Sequence, residues 1–136
     1  MHCFKYSTED IPYLQYFEKE VEGFFFRDSS GEVHLNYRAI NRAVKSAKCV
    51  VVRFSLGNGH GCGRIVDKGQ ISNRAFKKLW IVQRFSSVPH LIPNYLVKDK
   101  DSRVRDTVAS WFETMRFVID RFREMDSNEN PIKRGF

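Results

Sequence analysis

The sequence predicts one mixed α/β (α+β) domain, and three observations carry that expectation. The chain has 136 residues with 42% apolar content, enough for one hydrophobic core and too few for two comfortable ones. Short β-branched or aromatic runs alternate with stretches in which apolar residues recur every three or four positions. The clearest run is VVVRFSL at 50–56, and the clearest periodicity joins Val108, Trp111, Phe112, Met115, Val118, Ile119 and Phe122.

Taken in order, residues 3–6 read as a short strand. Ser7-Thr8-Glu9-Asp10 is a capping signal, followed by a helix over 11–21 with Ile11, Leu14, Phe17 and Val21 on one face. Pro12 fits only near that helix's start, since an interior proline loses a hydrogen bond and clashes with the preceding turn. Residues 23–26 form a short apolar strand, and Asp28-Ser29-Ser30-Gly31 a turn. A helix over 33–46 would bury Leu35, Ala39, Ile40, Ala43 and, just beyond it, Ala47, leaving Arg38, Arg42 and Lys45 in solvent. In the strand at 50–56, Val50, Val52 and Phe54 share a face. Gly57-Asn58-Gly59 reverses the chain, and 61–66 and 79–82 supply further strands, separated by a polar connection at 68–77. Residues 86–101 carry two prolines and few periodic cues, so they read as irregular. The last helix should run about four or five turns. The domain is expected to span 1–126, with a frayed tail at 127–136.

Charge is distributed unevenly. Through Val33 there are three Lys/Arg against seven Asp/Glu, from His34 to Arg84 eleven against one, and from Phe85 onward nine against eight. A middle third that basic attracts polyanions, and nucleic acid is the commonest in a cell. The bland alternative is that these charges lie on scattered solvated faces. Tyr37, Phe54, Phe76 and Trp80 lie among the basic residues, an interleaving suited to a surface that stacks bases and neutralises phosphates.

Other classes find little support. Apolar runs of a few residues fall far short of the roughly 20 needed to cross a bilayer, and residues 1–10 hold no signal-peptide core, so no membrane partner and an intracellular location, nuclear or cytoplasmic, are expected. Cys3, Cys49 and Cys62 are odd in number and widely spaced, which argues for reduced, mostly buried thiols. His60-X-Cys62 lacks a second ligand pair, and His34 and His90 stand alone, so neither a metal nor another cofactor is expected. Cys62 with His60 as base lacks an orienting acid or amide, and no enzyme activity is expected. Nor is the glycine cluster a P-loop, because no Lys-Ser/Thr follows it.

VVVRFSLGNGHGCG at 50–63 resembles the central strand and turn of the YTH domain family. FKYSTEDI at 4–11 is similar to that family's opening strand and acid-ended loop, and HLNYRAI at 34–40 to the helix before the central strand. FKKLWIVQRF at 76–85 is similar to a later core strand, and VRDTVASWF at 104–112 resembles an Arg-Asp segment leading into a helix. The resemblance covers most of the chain. It implies an open or barrel-like sheet surrounded by about three helices, and an RNA-binding domain whose ligand is single-stranded RNA carrying N6-methyladenosine.

The same resemblance implies site residues. Lys5 and Tyr6 fall on nucleotide-contacting positions, Asp10, once a one-residue gap is allowed, on the residue that bonds a flipped adenine's edge, and Arg105 on an arginine that grips the RNA backbone. Read without the resemblance, Glu9 and Asp10 are simply acids at a helix start. A methylated base also needs an aromatic cage. The family's first cage tryptophan falls on Phe25, and the second has no counterpart among the sixteen residues between Gly63 and Trp80. The cage is either incomplete or rebuilt from Phe25, Phe26 and a further residue for which Phe76 is a candidate. The methyl group should therefore contribute less here than in the family at large. Two readings from other classes remain: a protein-interaction module that keeps such a fold without the base pocket, and a small thiol enzyme centred on Cys62.

Overall fold

The computed structural model describes residues 6–55 and 61–129, and in them the expected mixed α+β architecture is present. Four helices, α1 (Ile11–Glu18), α2 (Tyr37–Ser46), α3 (Asn73–Arg84) and α4 (Ser102–Glu129), surround two separate antiparallel pairs. These are β1 (Phe25–Arg27) with β2 (Val33–Leu35), and β3 (Cys49–Ser55) with β4 (Gly61–Asp67). The described residues form no barrel, and the helices number four, not three. The strand expected at 3–6 and the 57–59 turn lie largely outside the described residues.

The helix at 11–18 begins with Pro12 in its first turn, as its fixed φ requires, and continues as a 3-10 turn over Lys19–Val21. The helix expected from Val33 starts later, at Tyr37. Val33, His34 and Leu35 pair instead with Arg27, Phe26 and Phe25. Asn36 then caps α2, its side-chain oxygen accepting the Ala39 amide at 3.2 Å. Arg38, Arg42 and Lys45 are exposed, as their spacing predicts.

The strand expected at 79–82 is the middle of α3. A four-residue apolar run cannot be told from a buried helix by periodicity, and here Leu79, Ile81 and Val82 are buried while Trp80 sets its ring edge-on to Phe24. The Ser72 hydroxyl accepts the Ala75 amide at 3.1 Å and starts the helix. Most of the polar connection at 68–77 is accordingly a 3-10 turn, Lys68–Gln70, and the opening turn of α3.

β3 is central. Val50 and Val52 point into the core, and the strand is flanked by α3 and α4. Its outer edge is completed by helix side chains. The Val51 amide donates to Gln83 Oε1 at 2.8 Å, and the Arg53 amide donates to Thr107 Oγ1 at 3.0 Å, whose hydroxyl donates back to the Arg53 carbonyl at 3.1 Å. Cys49, expected to be buried, is exposed at the strand's start.

Residues 86–101 are irregular only in part. Two 3-10 turns, Pro89–Leu91 and Asn94–Lys98, carry Leu91, Leu96 and Val97 into the main core. α4 has 28 residues, about 42 Å at 1.5 Å per residue, longer than expected. It reaches past the expected domain end at 126. Val104, Val108 and Phe112 join the main core, while Met115 and Ile119 form a second cluster with Leu14. No helix among the described residues is long and apolar enough to cross a membrane.

Thr107 is fully buried, so Thr107→Val keeps its shape and leaves two β3 backbone groups unpaired. A loss of about 1–3 kcal/mol in chemical denaturation is expected, and Thr107→Ser, which keeps the hydroxyl, should lose much less.

Candidate nucleic-acid interface

The first turns of α3 place Arg74, Lys77 and Lys78 at helical spacing beside the buried Ala75 and Phe76. Across from them, Leu96 and Val97 anchor the 3-10 turn Asn94–Lys98 in the core and leave Tyr95 and Lys98 outside. Tyr37, the first residue of α2, meets this turn: its hydroxyl lies 3.2 Å from that of Tyr95. As whole residues Tyr37 and Tyr95 are 41% and 56% exposed. Lys77 Nζ sits 4.8 Å from the centre of the Tyr37 ring.

Two adjoining cavities open here, sharing Arg74, Lys78 and Tyr95. One, of about 460 Å³, is lined further by Ser72, Lys98, Asp99 and Lys100. The other, of about 280 Å³, is lined further by Tyr37, Lys77 and Ile81. The acids on the rim are engaged: Asp99 receives Lys78 at 2.6 Å and Asp101 receives Arg103 at 2.6 Å. Among the described residues Arg74, Lys77, Lys98 and Lys100 have no acidic partner, so the cleft is net positive. Burial, and after it the Tyr95 hydroxyl, push Tyr37 up to about 12.

The residues expected from the resemblance lie elsewhere. Lys5 lies outside the described residues. The Tyr6 hydroxyl donates to the Phe112 carbonyl at 2.9 Å, and Arg116 lies over its ring at 5.2 Å. Its titration is pushed well above the ordinary phenol range, first by burial. Asp10 is fully buried, its carboxylate held by Arg116 at 3.0 Å, by Arg123, and by the Ser7 amide at 3.1 Å. Phe25 packs partly against the main core, and Phe26 is exposed and stacked on His34 with ring centres 5.3 Å apart. Arg105 is half-buried and donates to the Asp99 carbonyl at 3.3 Å.

These residues therefore occupy separate places. Arg105 and Arg116 are eleven positions apart on α4, about 16 Å along its axis, and the aromatic pair is on a different hairpin. Of the aromatics expected among the basic residues, Tyr37 is exposed, Trp80 half-buried and Phe76 fully buried in the core. The side chain of Phe54 lies outside the described residues, as does that of Cys62. Tyr95 escaped the sequence reading because residues 86–101 carry no simple period. Its signal is the Leu96-Val97 pair, two apolar residues that pin the turn beneath it.

Compared with known proteins, the chain matches no family model, no curated protein and no solved structure.

Removing the Asp10 carboxylate separates scaffold from ligand contact. Breaking a fully buried pair costs about 3–5 kcal/mol, but both arginine side chains remain more than a third exposed and can be hydrated. Asp10→Ala should therefore lose about 1.5–3 kcal/mol, the range for hydrogen bonds to charged groups. Urea unfolding at neutral pH measures it.

Proposed function

We propose that this chain binds single-stranded RNA across the Tyr37–Tyr95 cleft, through base stacking on the two phenol rings and phosphate contacts from Arg74, Lys77, Lys98 and Lys100. The observation that carries the reading is the pair of exposed rings joined at their hydroxyls and surrounded by cations without acidic partners. Charge alone would attract any polyanion. The exposed π faces favour a strand whose bases are free, since a duplex hides them.

The finer reading, recognition of N6-methyladenosine by a YTH-type domain, draws on the sequence motifs. Phe26 is the exposed aromatic among its expected cage residues. Set against it, the segment at 76–85, similar to a core strand of that family, is helical in this chain. The alternative is a protein-interaction module, whose signature would be stable association with a partner and no RNA affinity.

Tyr95→Ala and Tyr37→Ala should each weaken binding of a short unstructured RNA by about 1–3 kcal/mol, the range for one base stack. Tyr95→Phe should retain most of it. Fluorescence anisotropy with a labelled oligonucleotide reads these affinities, and the same RNA with one N6-methyladenosine tests the finer reading. A methyl preference abolished by Phe26→Ala would support the YTH pocket, and equal affinities would dismiss it.

The salt response supplies a separate test. Each phosphate neutralised on a single strand contributes about 0.7 to the log-log slope. Arg74→Ala and Lys77→Ala should each reduce the slope by about that amount if each holds one phosphate. A flat salt response in the unaltered chain would contradict the reading.

A further inference from the structure

The β1–β2 hairpin gathers a different chemistry, independent of the RNA reading. Asp28 organises the connection between the strands: its Oδ1 accepts the Ser30 amide at 2.9 Å, the Ser30 hydroxyl at 2.6 Å and the Glu32 amide at 3.0 Å. Oδ2 faces His34 Nε2 at 2.8 Å. Strand register brings His34 opposite Phe26, and the Phe26 ring lies against the imidazole with 26° between their planes, which restrains its orientation. The Glu32 carboxylate completes the group, with no partner of its own among the described residues. One ligand atom from each of Asp28, Glu32 and His34 lies within 4.8 Å of the other two.

We propose that Asp28, Glu32 and His34 form a binding site for a divalent transition-metal ion, with Zn²⁺ the preferred occupant. Among the described residues no lysine or arginine pairs with either carboxylate, the neighbouring Arg27 being held by Glu18 at 2.9 Å, and the one basic group at Asp28 is the His34 imidazole, itself a metal ligand when neutral. Zinc bonds of about 2.0–2.2 Å to nitrogen and oxygen place tetrahedral ligand atoms roughly 3.3–3.5 Å apart. The Asp28–His34 contact opens slightly and Glu32 closes inward to reach that geometry, movements available to exposed side chains. A donor set of two carboxylates and one imidazole is a poor match for Ca²⁺ or Mg²⁺, which take oxygen ligands. The affinity order of divalent ions puts Cu²⁺ above Zn²⁺, so the preference for zinc rests on its acceptance of mixed nitrogen and oxygen donors in a tetrahedral set with one open position. Three protein ligands leave a fourth position for water.

Zinc titration of the full chain by calorimetry tests the site, after alkylation has removed the cysteine thiols as competing ligands. His34→Ala should remove one zinc-binding event. Glu32→Gln, which alters no hydrogen bond of the connection, should weaken the same event by at least about tenfold, the lower end of losses seen even for outer-shell partners. The His34 imidazole resonances should shift on zinc addition and stay in place with the same concentration of Mg²⁺. Zinc binding unchanged in both variants, or His34 resonances that ignore zinc, would overturn the proposal. Thermal unfolding of both metal-free variants, unchanged from the parent, would show that any loss is one of ligands and not of the hairpin.

Discussion

The side-chain hydrogen bonds from Gln83 and Thr107 to the outer edge of β3 are the constraint on which the rest of the structure depends. A two-stranded ribbon is marginal by itself, and its unpaired edge would leave buried amides without partners. Here α3 and α4 supply those partners, with Gln83 bonding Val51 and Thr107 bonding both backbone groups of Arg53. The ribbon thus fixes both helices on one side while the opposite edge of β3 pairs with β4. Once α3 and α4 are fixed, the chain between them must cross the core, and Val88, Leu91, Ile92, Leu96 and Val97 are buried as it does so. That crossing carries Tyr95 to the side of Tyr37, so the cleft is a consequence of how β3 is finished.

Much of the fold is legible in the sequence wherever one period dominates. Val50 and Val52 announce β3, and the three- and four-residue spacing from Val108 onward announces α4. The misreadings have a common cause. Leu79-Trp80-Ile81-Val82 looks like a strand because all four residues meet other protein groups, and burial on several sides erases the amphipathic signal. The Ser72 cap and the helical spacing of Ala75, Leu79 and Val82 were the cues that outweigh it. At Val33 the apolar pattern runs continuously from strand into helix, and only the Asn36 cap marks the boundary.

The candidate site was legible as charge and not as geometry. The basic middle segment directs attention to α2 and α3, and Tyr37 is among its aromatics, but Tyr95, Lys98 and Lys100 come from a segment with no period. Asp10 illustrates the opposite difficulty. As a sequence it is an acid near a helix start; in the structure its charge is committed to Arg116 and Arg123 on α4, more than a hundred residues away. Such a tie couples the small Leu14–Met115–Ile119 cluster to the end of the long helix, where little other core is available. Asp10 of the acidic N-terminal third thus braces α4, while Arg74, Lys77 and Lys78 of the basic middle third line the cleft.

Photochemical crosslinking of a short single-stranded RNA to the full chain, followed by mass spectrometry of the modified peptides, tests the central claim most directly. The account predicts adducts on the peptides that contain Tyr37 and Tyr95. Adducts confined to the Phe25–Phe26 hairpin or to the peptides around Tyr6 and Asp10, or no adducts at a concentration where the RNA is bound, would contradict it.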